Sequence, residues 1–299
     1  MITYDTKEWF SVFQLHKADT FRKLFPLMLF LSAYTTLVAF MELEWLHLSE
    51  KSYMRNIPLM HSLLGFAISM LLVFRTNTAY DRWWEGRKQW GSLVNVSRNI
   101  ALKFNVLLPE NDIQNRHFFE NIIPRFAVSM MQHLRRQAVK YELDERPHPE
   151  IPDFNASHHA PAQNAQLIYA KATQLYRDGI MSGEQLLTVN NDITALMDIC
   201  GSCERIRNTP IPYSYSAFIK KFIFIYVLTL PLGYVFSFGF MAIPVVAFIF
   251  YVLASLEVIA EEVEEPFGTD NNDLPMERLC ETIEQSVRGI IGNPTGNAA

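Results

Sequence analysis

From Phe222 to Leu256 the chain carries no charged side chain, and Lys221 and Glu257 bound the run. A helix crossing the hydrocarbon of a bilayer uses about 20 residues, so this run is nearly long enough to cross twice. Gly239 and Pro244 lie near its middle and divide it into two tightly connected helices, at about 222–239 and 241–257.

Two further charge-free segments lie nearer the N-terminus. One runs from Leu24 to Met41, between Lys23 and Glu42; the other runs from Asn56 to Phe74, between Arg55 and Arg75. They predict crossings at about 24–44 and 56–75, and four crossings in all. Four spans absorb roughly 75 residues. With 49% apolar and 19% charged residues in 299, the chain is too polar to lie wholly in lipid. The stretches 76–221 and 258–299 are therefore expected to form a helical domain in water. The first twenty residues hold Asp5, Lys7, Glu8, Lys17 and Asp19. They show no apolar core or small-residue cleavage site, so the start reads as a native cytosolic end rather than a signal peptide.

Positive charge sets the expected orientation. His16, Lys17, Arg22 and Lys23 precede the first span, and Arg75, Arg82, Arg87 and Lys88 follow the second. The loop 42–55 sets Glu42, Glu44 and Glu50 against Lys51 and Arg55. The positive-inside rule then predicts a multi-pass protein of a bacterial inner membrane with both termini in the cytosol. A formal net charge of −5, with no basic stripe carrying interleaved aromatics, argues against a nucleic-acid partner.

The region after the second span reads as amphipathic helix. Leu93, Val96, Ile100, Phe104 and Leu107 recur at three- and four-residue steps, as do Phe118, Ile122, Phe126, Met130 and Leu134, and then Leu186, Val189, Ile193, Leu196 and Cys200. Thr209-Pro210-Ile211-Pro212 stops the last of these and turns the chain back toward the membrane. No segment has a strand pattern. The proline-rich stretch from Glu142 to Asn164 reads as a surface connection; its His148, His158 and His159 are either metal ligands or simply solvated.

Cys200, Cys203 and Cys280 all fall on the expected cytosolic side, where disulfides are rare, and are read as free thiols. Cys200-Gly-Ser-Cys203 has the spacing of a redox or zinc half-site but no second pair and no neighbouring strand. Small buried residues on a helix are the plainer account. A membrane redox or metal-dependent enzyme using Cys200 and Cys203 is the rival one.

The densest motif runs Arg75-Thr-Asn77-Thr-Ala-Tyr80-Asp-Arg82-Trp83-Trp-Glu85-Gly86-Arg87-Lys-Gln-Trp90-Gly91. A second, after the last span, runs Glu265-Pro266-Phe267-Gly268-Thr269-Asp270-Asn-Asn-Asp273. Together with Gly201 to Arg205 and Thr209 to Pro212 they resemble the bestrophin family, in its short prokaryotic branch, almost end to end. The resemblance implies an all-α membrane subunit, a homopentamer, and a central pore lined by the second transmembrane helix with a narrow apolar neck above a wider cytosolic vestibule.

Counted back from Phe74-Arg75, Phe66, Met70 and Phe74 fall where that family places its three neck rings. They share one helical face, with Gly65 and Ser69 on the adjoining face where small residues permit close packing. Packing against lipid or other spans is the alternative use of such a stripe. An apolar ring passes ions only when wetted, so it can gate. Trp and Tyr of the downstream motif suit the membrane interface. There Arg82 with Glu85, or Asp81 with Arg87, would hold the neck helix to the vestibule, within or between subunits.

The resemblance also places Glu184 at the lower cytosolic aperture, where relatives carry an apolar residue. Five carboxylates there would attract cations and raise one another's pKa; a solvated exterior position is the alternative. Eukaryotic bestrophins are calcium-activated anion channels with a calcium clasp after the fourth span. Asp270 and Asp273 match clasp positions and Glu262 and Glu265 could add oxygens; a solvated helix end formed by Glu261, Glu262, Glu264 and Glu265 is the alternative. Thr269, Asn271 and Asn272, however, stand where carboxylates are needed. The expected function is thus a channel for small monovalent ions, leaning to cations, with chloride conduction as the alternative. It requires no cofactor or calcium, and its partners are its own copies, the permeating ions and membrane lipid.

Overall fold

Apolar residues at helical spacing become helices throughout the described residues, and no strand occurs among them. The computed structural model describes residues 20–45, 57–135, 159–270 and 272–292. Its helices are α1 (Thr20–Phe40), α2 (Ile57–Leu107), α3 (Ile113–Arg135), α4 (Ala160–Arg177), α5 (Gly183–Asn208), α6 (Tyr213–Phe238), α7 (Ala242–Glu264) and α8 (Met276–Ile291). They form two compact units. The first holds α1, α2 up to Trp83, α6 and α7; the second holds α2 from Trp84, then α3, α4, α5 and α8.

In the first unit, one face of each helix supplies a shared apolar core: Leu24 and Leu31 from α1, Ile68 and Leu72 from α2, Ile223 and Val227 from α6, and Val246 and Phe250 from α7. The outward faces are apolar as well, with Leu29 at 62% and Phe248 at 65% exposure. Helices that are hydrophobic all round belong in lipid. Thr20–Trp45, Pro58–Leu107 and Tyr213–Glu264 are each long and apolar enough to cross a membrane, and the third contains both α6 and α7.

Hydroxyls in these helices bond to their own backbone, which is how a polar side chain is satisfied where no water reaches. Thr35 donates to the Leu31 carbonyl at 2.8 Å, Ser69 to Gly65 at 2.7 Å and Thr76 to Leu72 at 2.8 Å. α6 ends where Gly239 takes φ 53, a left-handed conformation that suits a residue without Cβ. A short 3₁₀ turn, Gly239–Met241, follows. Pro244 then falls in the first turn of α7, where its missing N–H breaks no helical bond. At the same end of the unit, where Ala39 packs with Val235 and Ala242, α1 continues as a π-helical turn over Met41–Trp45, which buries Glu42.

The second unit is built on the water-soluble plan, with one buried and one wet face per helix. α3 buries Phe118, Ile122, Phe126, Met130 and Leu134; α5 buries Val189, Ile193, Leu196 and Cys200; α8 buries Cys280, Ile283 and Val287. Phe104 of α2 stacks on Phe119 of α3 with centroids 3.5 Å apart. Buried Arg116 closes the end of α2 by donating to the carbonyls of Leu108 at 2.8 Å and Pro109 at 3.1 Å, a cation on the negative end of the helix. Ser182 and Gln185 form a capping box that starts α5.

One boundary differs from the sequence expectation. The stretch read as a surface connection to Asn164 already turns helical at Ala160, because His159 caps α4: its Nδ1 accepts the Ala162 amide at 3.1 Å. Asn164 is fully buried and donates to Ser129 Oγ at 2.9 Å. His148 and His158 lie outside the described residues, as does Asn271.

Candidate functional site

With 3.6 residues per turn, α2 presents two opposite stripes in the first unit. Ile68, Leu72, Arg75 and Ala79 are buried against the other helices. Phe66, Met70 and Phe74 point away, at 73%, 49% and 53% exposure. The structure thus brings the three expected neck side chains onto one open apolar face of a single helix. Gly65 borders that face. A Cβ there would sit 2.9 Å from the Tyr226 hydroxyl of α6, so the glycine lets these two helices meet. Buried His61 completes the contact, its Nε2 lying 3.0 Å from Thr229 Oγ1.

Behind the open stripe, α2 is pinned by charge. Arg75 is 1% exposed; its Nη2 donates to Glu264 Oε2 at 2.7 Å, and its Nε lies 3.5 Å from Glu257 Oε1. Glu264 Oε1 also accepts the Ile211 amide at 2.7 Å, and its backbone carbonyl accepts Arg82 Nε at 3.1 Å. Arg82 is therefore committed to α7. Glu85 takes Lys88 at 2.7 Å and Gln89 at 2.9 Å.

Trp83 Nε1 donates to the Asn272 carbonyl at 3.2 Å, and its ring stacks on Tyr80 at 6.1 Å. Asn77 and Tyr80 are exposed, Arg87 and Gly91 half-buried, and Trp90 fully buried. A Cβ on Gly86 would meet the Phe267 ring at 3.1 Å and Pro266 at 3.3 Å. The two motifs therefore meet at a point where even a Cβ would press on its neighbours. Gly268 is half-buried just beyond.

Of the four candidate calcium ligands, Glu262 is already engaged: Oε1 pairs with Lys23 Nζ at 2.5 Å and Oε2 accepts Asn272 Nδ2 at 2.6 Å. Glu265 and Asp270 are exposed, and Asp273 is buried within the second unit. Glu184 is exposed in the first turn of α5 and accepts the Ser182 hydroxyl at 2.9 Å. Its own backbone amide and that hydroxyl hold the carboxyl below the usual range.

Cys200, Cys203 and Cys280 are free and buried. Burial, with Glu204 close by, pushes the Cys200 thiol up to about 12 and Cys203 further in the same direction. Thiols held protonated in this way are poor nucleophiles and poor metal ligands.

Sequence reasoning missed two groupings. The cluster Glu261, Glu262, Glu264 and Glu265 reads as a solvated helix end, yet Glu264 is buried and Glu257 is 2% exposed. The signal was available: Val246, Phe250, Ala254, Glu257, Ala260 and Glu264 continue one buried stripe at three- and four-residue steps. The other is His133, His159 and Glu204, three residues far apart in sequence that meet in the second unit. Burial pushes the Glu204 carboxyl up, but hydrogen bonds from His159 and His133 outweigh it and hold the group below its usual range.

The family model described as bacterial and fungal bestrophin protein matches residues 1–289. The chain belongs to the bestrophin family. Its relatives include a voltage-dependent anion channel-forming protein of Nostoc, 36% identical over 79% of this chain and 80% of that one. A protein of the same description in Ralstonia nicotianae is 29% identical over 99% of this chain and 96% of its own. A crystal structure of a bacterial bestrophin homologue from Klebsiella pneumoniae superposes with a TM-score of 0.79 at 27% identity, covering 89% of this chain and 97% of that chain. The bestrophin family consists of channel-forming membrane proteins rather than enzymes, and the all-helical fold described above is the fold of that homologue.

Proposed function

We propose that this chain assembles as a homopentameric channel of a bacterial inner membrane and passes small monovalent ions, with both termini in the cytosol. In this reading the transmembrane helices lie at about 24–44, 56–75, 222–239 and 241–257. Five copies of α2 surround the pore, and Phe66, Met70 and Phe74 form its neck. The observation that carries the proposal is the division of α2: one stripe is tied to its own subunit through Leu72 and Arg75, and the opposite apolar stripe is unused by that subunit. A stripe so left over is available to face an axis. Rings of phenylalanine and methionine there would set the barrier to ion passage by how readily they wet.

Glu184 supports a lean to cations, because an exposed carboxylate held ionised at a narrow exit attracts positive charge. The second reading is anion conduction, favoured by the names of the Nostoc and Ralstonia relatives. Conduction in this reading requires no cofactor. A calcium response is not expected, since Glu262 is occupied by Lys23 and Asn272.

Purified protein in planar bilayers under a salt gradient tests both points. A reversal potential near that of the cation supports the cation reading; one near that of chloride selects the alternative. Changing Phe66, Met70 and Phe74 together to alanine is expected to raise conductance or open probability, and unchanged currents would overturn the assigned pore face. Replacing both Cys200 and Cys203 by alanine is expected to leave ion flux intact.

A further inference from the structure

His133 from the last turn of α3, His159 at the cap of α4 and Glu204 near the end of α5 converge on one point. Both imidazole Nε2 atoms lie 2.6 Å from the same oxygen, Glu204 Oε1, and the two rings are 4.4 Å apart. One ligand atom from each residue falls within 4.8 Å of the others, and no second such trio occurs among the described residues. Two rings sharing one carboxylate oxygen, when a second oxygen is at hand, is an economical way to point three donors at one small ion.

We propose that His133, His159 and Glu204 bind a divalent transition ion of the zinc class, with water in the remaining position. Two imidazoles and one carboxylate are a recurrent zinc ligand set, and imidazole suits this class of ion over calcium or magnesium. Ligand atoms about 2.1 Å from a tetrahedral ion lie roughly 3.4 Å from one another, so side-chain shifts of under about 1 Å would admit it. The side chains are 30%, 34% and 29% exposed, which leaves an entry path and room for the water. The backbone behind the site is fixed, since Arg207 Nη1 donates to the His133 carbonyl at 2.7 Å. The buried Cys200, one turn earlier on α5, and Cys203, next to Glu204, stay outside the ligand set.

Occupancy changes the structure in one definite way. With Nε2 on the ion, the neutral ring of His159 carries its proton on Nδ1, which then faces the Ala162 amide instead of accepting from it. The ion therefore joins the ends of α3 and α5 to the start of α4 while releasing the cap of α4. It acts as a staple across the two ends of the 136–158 connection.

The test uses full-length protein in detergent, stripped with chelator and titrated with Zn²⁺ by calorimetry and with Co²⁺ by visible absorption. One Zn²⁺ per chain is expected, with a cobalt band characteristic of low coordination number. Glu204→Gln and His159→Asn should each weaken binding by at least the roughly 10- to 100-fold that losing an outer-shell partner costs. Asparagine is itself a good helix cap, so His159→Asn removes the ligand without unfolding α4, and unchanged elution on size exclusion checks both variants. No zinc bound by the wild-type chain, or wild-type affinity in either variant, overturns the proposal. Because the readout is binding, the outcome is independent of conduction.

Discussion

The two units solve opposite problems with the same secondary structure. In the second, α3, α5 and α8 each bury one stripe and wet the other, so water drives the packing, at about 25 cal/mol per Å² of apolar surface removed from it. In the first, apolar side chains cover both the core and the outside. Lipid is as apolar as leucine, so burial in this unit gains little and association rests on close fit and on polar contacts. This contrast gives a few groups great weight in the first unit: Gly65 at Tyr226, His61 at Thr229 and Arg75 at Glu264. In the second, stability is spread across many contacts.

Breaking the Arg75 cluster should have the largest effect. Arg75→Ala leaves Glu257 and Glu264 buried without their cation, and removing one partner from a buried pair typically costs about 3–5 kcal/mol. Loss of monodisperse protein on size exclusion and a large drop in thermal stability in detergent are expected; near wild-type behaviour would mean that the first unit does not depend on this contact.

The second unit should respond to volume instead. Gly86→Val places new atoms against Phe267 and Pro266, an overpacking expected to cost about 1–3 kcal/mol. A thermal-shift measurement checks it, with Gly201→Ala as a matched control, since nothing lies within 4 Å of a Cβ there.

The smallest effect belongs to the surface of the second unit. Glu277 lies beside Arg135, and that hydrogen bond holds its carboxyl below the usual range. A depressed carboxylate contributes stability that is fully present above its unfolded pKa and is lost as pH falls through its folded value. Glu277→Gln should therefore lower stability by about 0.2–1 kcal/mol at neutral pH and make no difference in strong acid. Unfolding midpoints measured from neutral pH down to about pH 3, close to the carboxylate reference values, should converge for the two proteins.

Amphipathic order made the second unit readable. Phe118 to Leu134 and Val189 to Cys200 announce their buried faces by spacing alone, because water penalises any other arrangement. The open stripe of Phe66, Met70 and Phe74 was visible as a repeat, but periodicity does not distinguish lipid from lumen, and only the adjoining family motif assigned it. Glu264 was hidden by its company, since three neighbouring glutamates suggest solvent and a single burial among them leaves no local trace. His133 and His159 lie 71 and 45 residues from Glu204, so only tertiary folding unites them. His159 was further masked by a run of prolines that resembled loop up to the residue where α4 begins.

Glu264 also sets a limit on what substitution can tolerate. Each of its side-chain oxygens faces a different N–H donor, Arg75 on one side and the Ile211 amide on the other. Glutamine, although the same size, has one oxygen to offer and must turn its own N–H₂ toward the second donor; aspartate is a methylene too short to touch both. The position is chemically degenerate with no other amino acid, so natural or designed variants of this channel should accept change at the neck more readily than at the carboxylate behind it.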